Sequence, residues 1–457
     1  MSFVDPVFFA FLVVVALLCR VAPSARAQNI VLLVASFAFY GWREPIWMGL
    51  LAASVLVDWW AARQVERGGG RRPLLVSLGV NLGVLATFKY ADFLVDGVTR
   101  AVLALGGPAI SWRPGLALPP GISFFTFQSM AYTIDVYRGK LRARDSLVDV
   151  GAHVAAFPQL VAGPIERATD LLPQLERRRT PTARDVSAGV SLLLWGAVQK
   201  LVVADTVGLW VDAVFAREDA PPVVVWAAVV GFMVQILGDF SGYTDMARGS
   251  ARLLGLHLSQ NFDRPFLAAS PSEFWRRWHQ TFSRWMHDYV YIPLGGSRKG
   301  PVRAVLAATA SLALAGLWHG AAWNFVAWGL WFALVWVVWK TVARWVPQSM
   351  HVRPVGVVLT VLVVAVGMLL FRNPDISDSL RVLGQVPWSG GPTDRAVAAG
   401  TLGVALAGGL LLTIGGAAMR RLDHIPHWAR GVGWAVAVVL VTVFWSDSAR
   451  DFVYFQF

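Results

Sequence analysis

The chain has 457 residues, of which 56% are apolar and only 15% charged, and its mean hydropathy is +0.55. A soluble protein of this length carries about a quarter charged residues, so an ordinary soluble globular enzyme is excluded and lipid is the solvent for much of the chain. The net charge of +12 would suit nucleic acid. The basic residues, however, fall in short clusters at 63–72, 138–144, 177–184, 298–303 and 420–430, between apolar runs. That is the spacing of cytoplasmic loops facing phosphate headgroups, and no nucleic-acid partner is expected.

The single cysteine, Cys19, rules out an intrachain disulfide and a cysteine cluster for a metal. Around it, an apolar run at 8–18 is followed by Ala25-Arg26-Ala27, the shape of a cleavage site. The segment 1–7 holds Asp5 and no Lys or Arg, so a retained first membrane helix is expected instead. Apolar runs near the ~20 residues that cross a bilayer recur at 7–22, 30–41, 46–62, 73–90, 187–210, 222–237, 302–318, 322–342, 355–371, 397–417 and 431–445. The expectation is an all-α polytopic membrane protein with about 11 spans.

Two stretches interrupt that pattern. Residues 119–137 are apolar and aromatic but open with Pro119-Pro120-Gly121 and contain Ser123, Thr126, Gln128 and Asp135; residues 153–165 are broken by Pro158, Gln159, Gly163 and Pro164. Irregular or polar backbone at membrane depth survives only inside protein or beside water, so both are expected as re-entrant elements lining a cavity.

Further along, residues 238–265 place Asp239, Tyr243 and Asp245 at the end of a span, with Arg248 and Arg252 following at helical spacing. This suggests an ion-pair network packing one helix end. In SEFWRRWHQTFSRWMHDYVYIPLGGSRKG (272–300), the residues Phe274, Trp278, Phe282, Trp285 and Tyr289 recur at helical spacing among Arg276, Arg277, Gln280, Arg284 and Asp288. The pattern predicts one amphipathic helix, starting near Ser272, in the interface or across a cavity mouth. His279 sits at the border of its apolar face, either as a headgroup-facing surface residue or as a functional one. His279 and His287 stand about 80° apart on such a helix and make a poor metal pair.

The run VRAVLAATASLALAG then ends in Leu317-Trp318-His319-Gly320 and resumes as AAWNFVAWGL. An ionisable residue at membrane depth is expensive. His319 is therefore either a buried neutral imidazole bonded to a carbonyl or a functional group, with Asn324 the nearest polar side chain downstream. HExxH, CxxC, GxSxG, P-loop and dinucleotide fingerprints do not occur, and no metal is expected.

Taken together, PPGISFFTFQSMAYTIDVYRGK, FPQLVAGPIERA, GYTDMARGSARLLGL, NFDRPF, SEFWRRWH, YVYIPLGGSRKG, LWHGAAWNFVAWGL, FRNPD and the closing VYFQF resemble the membrane-bound O-acyltransferase family, specifically its alginate O-acetylation branch, over nearly the whole chain. The resemblance implies one membrane domain, 1–457, with N-terminal helices in 1–118, a catalytic core in 119–345 and C-terminal helices in 346–457, ringing a central tunnel. It puts the family's WHG histidine on His319 and its RRWH histidine on His279. Trp318, Asn324, Trp278, Arg276, Tyr243, Asp245 and Gln128 are the expected supporting residues.

A neutral imidazole suits removal of an alcohol proton during attack on a thioester, and His319 is the expected base. Oxyanion donors are sought among His279, Trp318 and Asn324. No cofactor is expected to be bound, and acetyl-CoA or an acyl carrier is the expected cytosolic donor. By the same resemblance the partners are the bilayer, a periplasmic or extracellular acetyltransferase, and an exported polysaccharide as final acceptor, at the bacterial inner membrane. Two alternatives stand beside this: D-alanyl transfer to teichoic acid, and a transporter or flippase, for which Asp58 and Asp205 within spans would be the sign.

Overall fold

A backbone crossing lipid must satisfy its own N–H and C=O groups, and this chain does so through helices, with no strand among the described residues. The computed structural model describes residues 1–217, 219–343, 353–445 and 452; the closing VYFQF motif at 453–457 lies outside them. In order the helices are α1 (Pro6–Val21), α2 (Ala25–Tyr40), α3 (Trp47–Gln64), α4 (Arg71–Ala104), α5 (Ile122–Tyr137), α6 (Leu147–Ala155), α7 (Phe157–Leu160), α8 (Ala168–Leu175) and α9 (Ala183–Phe215). They continue as α10 (Pro222–Leu253), α11 (Pro271–Arg277), α12 (Gln280–Met286), α13 (Pro301–His319), α14 (Trp323–Val342), α15 (Arg353–Arg372), α16 (Ile376–Leu383), α17 (Pro392–Arg420) and α18 (His427–Phe444).

Each expected span falls on one of these helices. Among the described residues eight are long and apolar enough to cross a membrane: α4, α9, α10, α13, α14, α15, α17 and α18. The helices α1 and α2 are apolar but only 16 residues each. Lipid-facing character is plain on α18, which buries no residue and exposes Val432, Val436, Val439 and Val443, and on α17, which exposes Leu406, Leu410 and Ile414. Apolar side chains outside and polar ones inside is the pattern of a chain dissolved in hydrocarbon.

The chain forms two compact units, one made of Met1–Val190 with Met246–Ser259 and the other of Ser191–Asp245 with Gln260–Phe457. In the first, Phe8, Phe39 and Phe157 pack ring against ring, with centroids 5.6 to 6.3 Å apart. Helix α5 buries all but two of its 16 residues. It begins at Gly121, whose φ of +72° and close approach to the Leu160 carbonyl leave no place for a Cβ. The two interrupted stretches are thus interior elements. The Nε2 groups of Gln128 and Gln159 both donate to the His153 carbonyl, at 2.6 and 2.5 Å.

Asp58 of α3 is fully buried in this unit. It accepts from Ser77 Oγ, from Asn81 Nδ2 at 2.7 Å, and from Ser129 Oγ and Thr133 Oγ1 at 2.6 Å each. One carboxylate thereby pins α3, α4 and α5, with its lone pairs taken up by neutral donors.

In the second unit Lys200, 1% exposed, sits in a π-helical turn of α9, with Nζ 2.8 Å from both Asp205 and Asp239. The acidic and basic residues of 238–265 therefore find partners on the preceding helix: Asp239 with Lys200, and Arg252, within the first unit, with Asp185 at 3.1 Å. Helix α10 continues from Pro222 into this stretch as far as Leu253, beyond the apolar run at 222–237.

Candidate active site

The predicted single amphipathic helix over 272–300 is broken. Its start is capped by Ser270, whose Oγ accepts from Glu273 N at 3.1 Å, two residues ahead of the expected Ser272. Helix α11 stops at Arg277, Trp278 adopts an extended backbone, and His279 takes the left-handed conformation with φ +40° and ψ +56° before α12 resumes. A non-glycine residue in that region costs on the order of 1–3 kcal/mol and persists only where its surroundings fix it. Here the NFDRPF loop does so: Gln280 N donates to the Asn261 carbonyl at 3.0 Å, and Asp263 N to that of Arg277 at 2.9 Å. The corner turns Trp278 and His279 together into the interior, 3% and 1% exposed.

The environment of His279 assigns its tautomer. Asn261 Oδ1 accepts from the Thr281 amide N–H at 3.2 Å and from Thr281 Oγ1 at 2.8 Å, and it faces His279 Nδ1 at 3.2 Å. An amide N–H can only donate, so this Asn261 atom is the carbonyl oxygen and the proton of the imidazole lies on Nδ1. Nε2 then carries the lone pair, buried and without a hydrogen-bond partner among the described residues. Burial pushes the imidazole down to about 3, because no charged group compensates desolvation of the cation. His279 is thus neutral and presents a fixed acceptor.

His319 closes α13 and is 4% exposed. Rings pack around it, among them Trp318 and Trp328 at 5.0 Å, Phe371 at 5.2 Å and Phe282 at 5.8 Å between centroids. Phe282 also stacks on His279 at 5.0 Å, so both imidazoles contact one phenyl ring, and Trp318 lies 6.1 Å from His279. Two glycines make this packing possible. A Cβ on Gly316 would lie 2.0 Å from the Phe325 carbonyl oxygen, and one on Gly329 would lie 2.2 Å from that of Leu312. Helices α13 and α14 therefore meet backbone to backbone beside His319.

Of the other expected residues, Trp318 and Trp278 belong to the same aromatic cluster, Trp278 packing on Phe262 at 5.1 Å and Phe274 at 5.6 Å. Asn324 is buried, and its Nδ2 donates to the Leu370 and Phe371 carbonyls at 3.4 and 3.3 Å. It thus caps the end of α15 and holds Phe371 against His319. Tyr243 lies 5.7 Å from Lys200 Nζ and 4.7 Å from Phe452, whose ring touches Phe240, which in turn meets His279 edge-on at 4.6 Å. Asp245 accepts from Gln199 Nε2 at 2.9 Å. Arg276 is exposed, and Gln128 belongs to the first unit, bonded to His153.

Asn261 and Trp328 were not among the expected site residues. Asn261 is 18 positions from its histidine, beyond any local pattern. Trp328 follows Asn324 by four positions on α14, a same-face spacing the sequence does display.

Residues 122–372 match the membrane-bound O-acyltransferase family. The protein named "Probable alginate O-acetylase AlgI" in Pseudomonas putida is 37% identical over 365 residues, covering 79% of this chain and 74% of its own, and its namesake in Azotobacter vinelandii is 36% identical over 364 residues, covering 78% and 72%. The peptidoglycan O-acetyltransferase of Helicobacter pylori is 28% identical over 390 residues, covering 77% and 72%. The apolar helices, the two buried histidines and these matches all lead to one assignment: the chain belongs to the membrane-bound O-acyltransferase family and is a multi-pass membrane enzyme that transfers acyl groups to oxygen.

Proposed function

We propose that this enzyme acetylates an exported polysaccharide, taking the acetyl group from a cytosolic thioester, acetyl-CoA, through a central tunnel in the inner membrane to a periplasmic or extracellular acetyltransferase partner. The observation that carries the reading is the contact of both His279 and His319 with the one ring of Phe282 in an aromatic enclosure. His319 takes the proton of the attacking alcohol as its oxygen approaches the thioester carbonyl. His279, held by Asn261, offers Nε2 as a fixed acceptor that orients an O–H or N–H of the bound substrate. A polyanionic donor stays on its own side of the membrane, and only the small acyl group crosses.

The names of the relatives, alginate O-acetylase and peptidoglycan O-acetyltransferase, support a glycan as the final acceptor. Ion-coupled transport, the alternative class, would need carboxylates free to load a cation at membrane depth. Asp58 is instead saturated by four neutral donors and Asp205 is paired with Lys200. The test is mass analysis of ester-linked groups on the cell's exported glycans with and without the gene. Loss of acetyl esters supports the reading; loss of D-alanyl esters, or no change, overturns it.

A further inference from the structure

We propose that the indole Nε1–H of Trp328 is the donor that meets the carbonyl oxygen of the acyl group as negative charge develops on it; the proposal rests on His319 as the base. Acyl transfer needs such a donor in a water-poor site, and two of the side chains first considered for it are engaged otherwise. Asn324 has its Nδ2 turned to the Leu370 and Phe371 carbonyls. His279 has its proton on Nδ1 facing Asn261, so its Nε2 can accept but not donate. Trp328 is 2% exposed, with a ring centroid 5.0 Å from that of His319 at an interplanar angle of 84°, and its Nε1 is buried without a hydrogen-bond partner among the described residues.

Trp226 Nε1 is likewise buried without a hydrogen-bond partner among the described residues, whereas other indoles do find acceptors. Trp331, three residues on along α14, donates to the Val363 carbonyl at 3.0 Å, and Trp434 donates to Ser191 Oγ at 2.8 Å. A buried donor with no partner is retained where something else supplies the acceptor. The ring is also immobilised: Phe332, Phe371 and Trp275 pack on it at 5.2, 5.7 and 5.9 Å, and the adjacent Gly329 is locked against the α13 backbone. The donor is therefore fixed before substrate arrives, as preorganised stabilisation requires.

In the step itself the alcohol oxygen bonds to the thioester carbonyl carbon and its proton passes to His319. The carbonyl electron pair moves onto oxygen, where the Trp328 N–H meets it. Collapse restores the carbonyl and breaks the C–S bond, and the departing thiolate takes the proton back from the imidazolium. Nothing is oxidised or reduced.

The test uses full-length protein in membranes of its own cell, which supply the acceptor, with acetyl-CoA as the donor and thiol release as the signal. Trp328→Phe is expected to lower kcat about 10²- to 10³-fold while KM for acetyl-CoA stays within a few-fold and the pH profile of the residual rate is unmoved. Trp331→Phe, which removes a satisfied indole N–H from the same helix, is expected to keep kcat within a few-fold. Trp328→His, which restores a ring N–H, is expected to recover part of the loss. Wild-type kcat in Trp328→Phe, a change in KM alone, or equal impairment of both Phe variants overturns the proposal.

A second measurement does not depend on a variant folding. In wild-type protein carrying ¹⁵N-labelled indoles, the Trp328 N–H resonance should move downfield when a ketone analogue of acetyl-CoA binds, and an unmoved resonance refutes the assignment. An inactive His319→Ala beside a fully active Trp328→Phe would sink the donor alone. An active His319→Ala would sink the base on which it rests.

Discussion

Replacing Asn261 by Ala removes one oxygen on which three donors converge: His279 Nδ1–H, Thr281 N–H and the Thr281 hydroxyl. The hydroxyl can rotate to another acceptor, but the amide cannot, and a buried N–H left unpaired costs about 1–3 kcal/mol. The imidazole also loses the acceptor that holds its proton on Nδ1, so the Nε2–H tautomer becomes equally accessible, and in that form the acceptor proposed to orient substrate is lost. The expected result is a stability loss of about 1–3 kcal/mol together with a fall in turnover on the order of 10²-fold, read by thermal unfolding in detergent and by thiol release from acetyl-CoA in membranes. Asn261→Asp keeps an acceptor and should recover turnover at neutral pH.

Asn261→Asp also sets a carboxylate beside an imidazole that burial holds at about 3 in the wild type. The carboxylate raises that value, so His279 protonates at higher pH. Nε2 then loses its lone pair, and the acid limb of activity moves upward in pH. Wild-type turnover in Asn261→Ala, or an unmoved acid limb in Asn261→Asp, would refute the assigned tautomer and its role.

Lys200→Met leaves the buried Asp239 and the half-buried Asp205 without their shared cation, which should cost about 3–5 kcal/mol; adding Asp239→Asn should restore part of it in a thermal unfolding series. Gly316→Ala drives a methyl group into the Phe325 carbonyl, and is expected to destabilise the α13–α14 hairpin by about 1–3 kcal/mol. Because that hairpin carries His319 and Trp328, acyl transfer should fall at temperatures where the variant is still folded.

Much of the fold was legible because hydrocarbon imposes a single rule on the backbone. An apolar run of sufficient length has to be helical, and the eleven runs expected all fall on helices. What the rule does not supply is where a helix ends once it leaves lipid: α4 continues to Ala104 and α10 to Leu253, held by packing and by partners on neighbouring helices. The same gap explains the error over 272–300. Phe274, Trp278, Phe282 and Trp285 do repeat at helical spacing, but the chain turns a left-handed corner at His279, and the residues that enforce it lie in the separate NFDRPF loop.

His319 stood out because an imidazole at the end of a span has no cheap explanation there. The importance of Asn261 came only from three-dimensional contact. Arg276, expected on the strength of its motif, is exposed, while Trp328 shares a face of α14 with Asn324, a spacing visible in the sequence.

The central claim is that a neutral His319 in the aromatic enclosure removes the proton of the attacking alcohol. The most direct measurement compares thiol release from acetyl-CoA by wild-type and His319→Ala protein present at equal levels in membranes. The account predicts a rate in the variant no higher than in membranes lacking the protein, with its helical content and thermal unfolding retained. A folded His319→Ala protein turning over at the wild-type rate would contradict it.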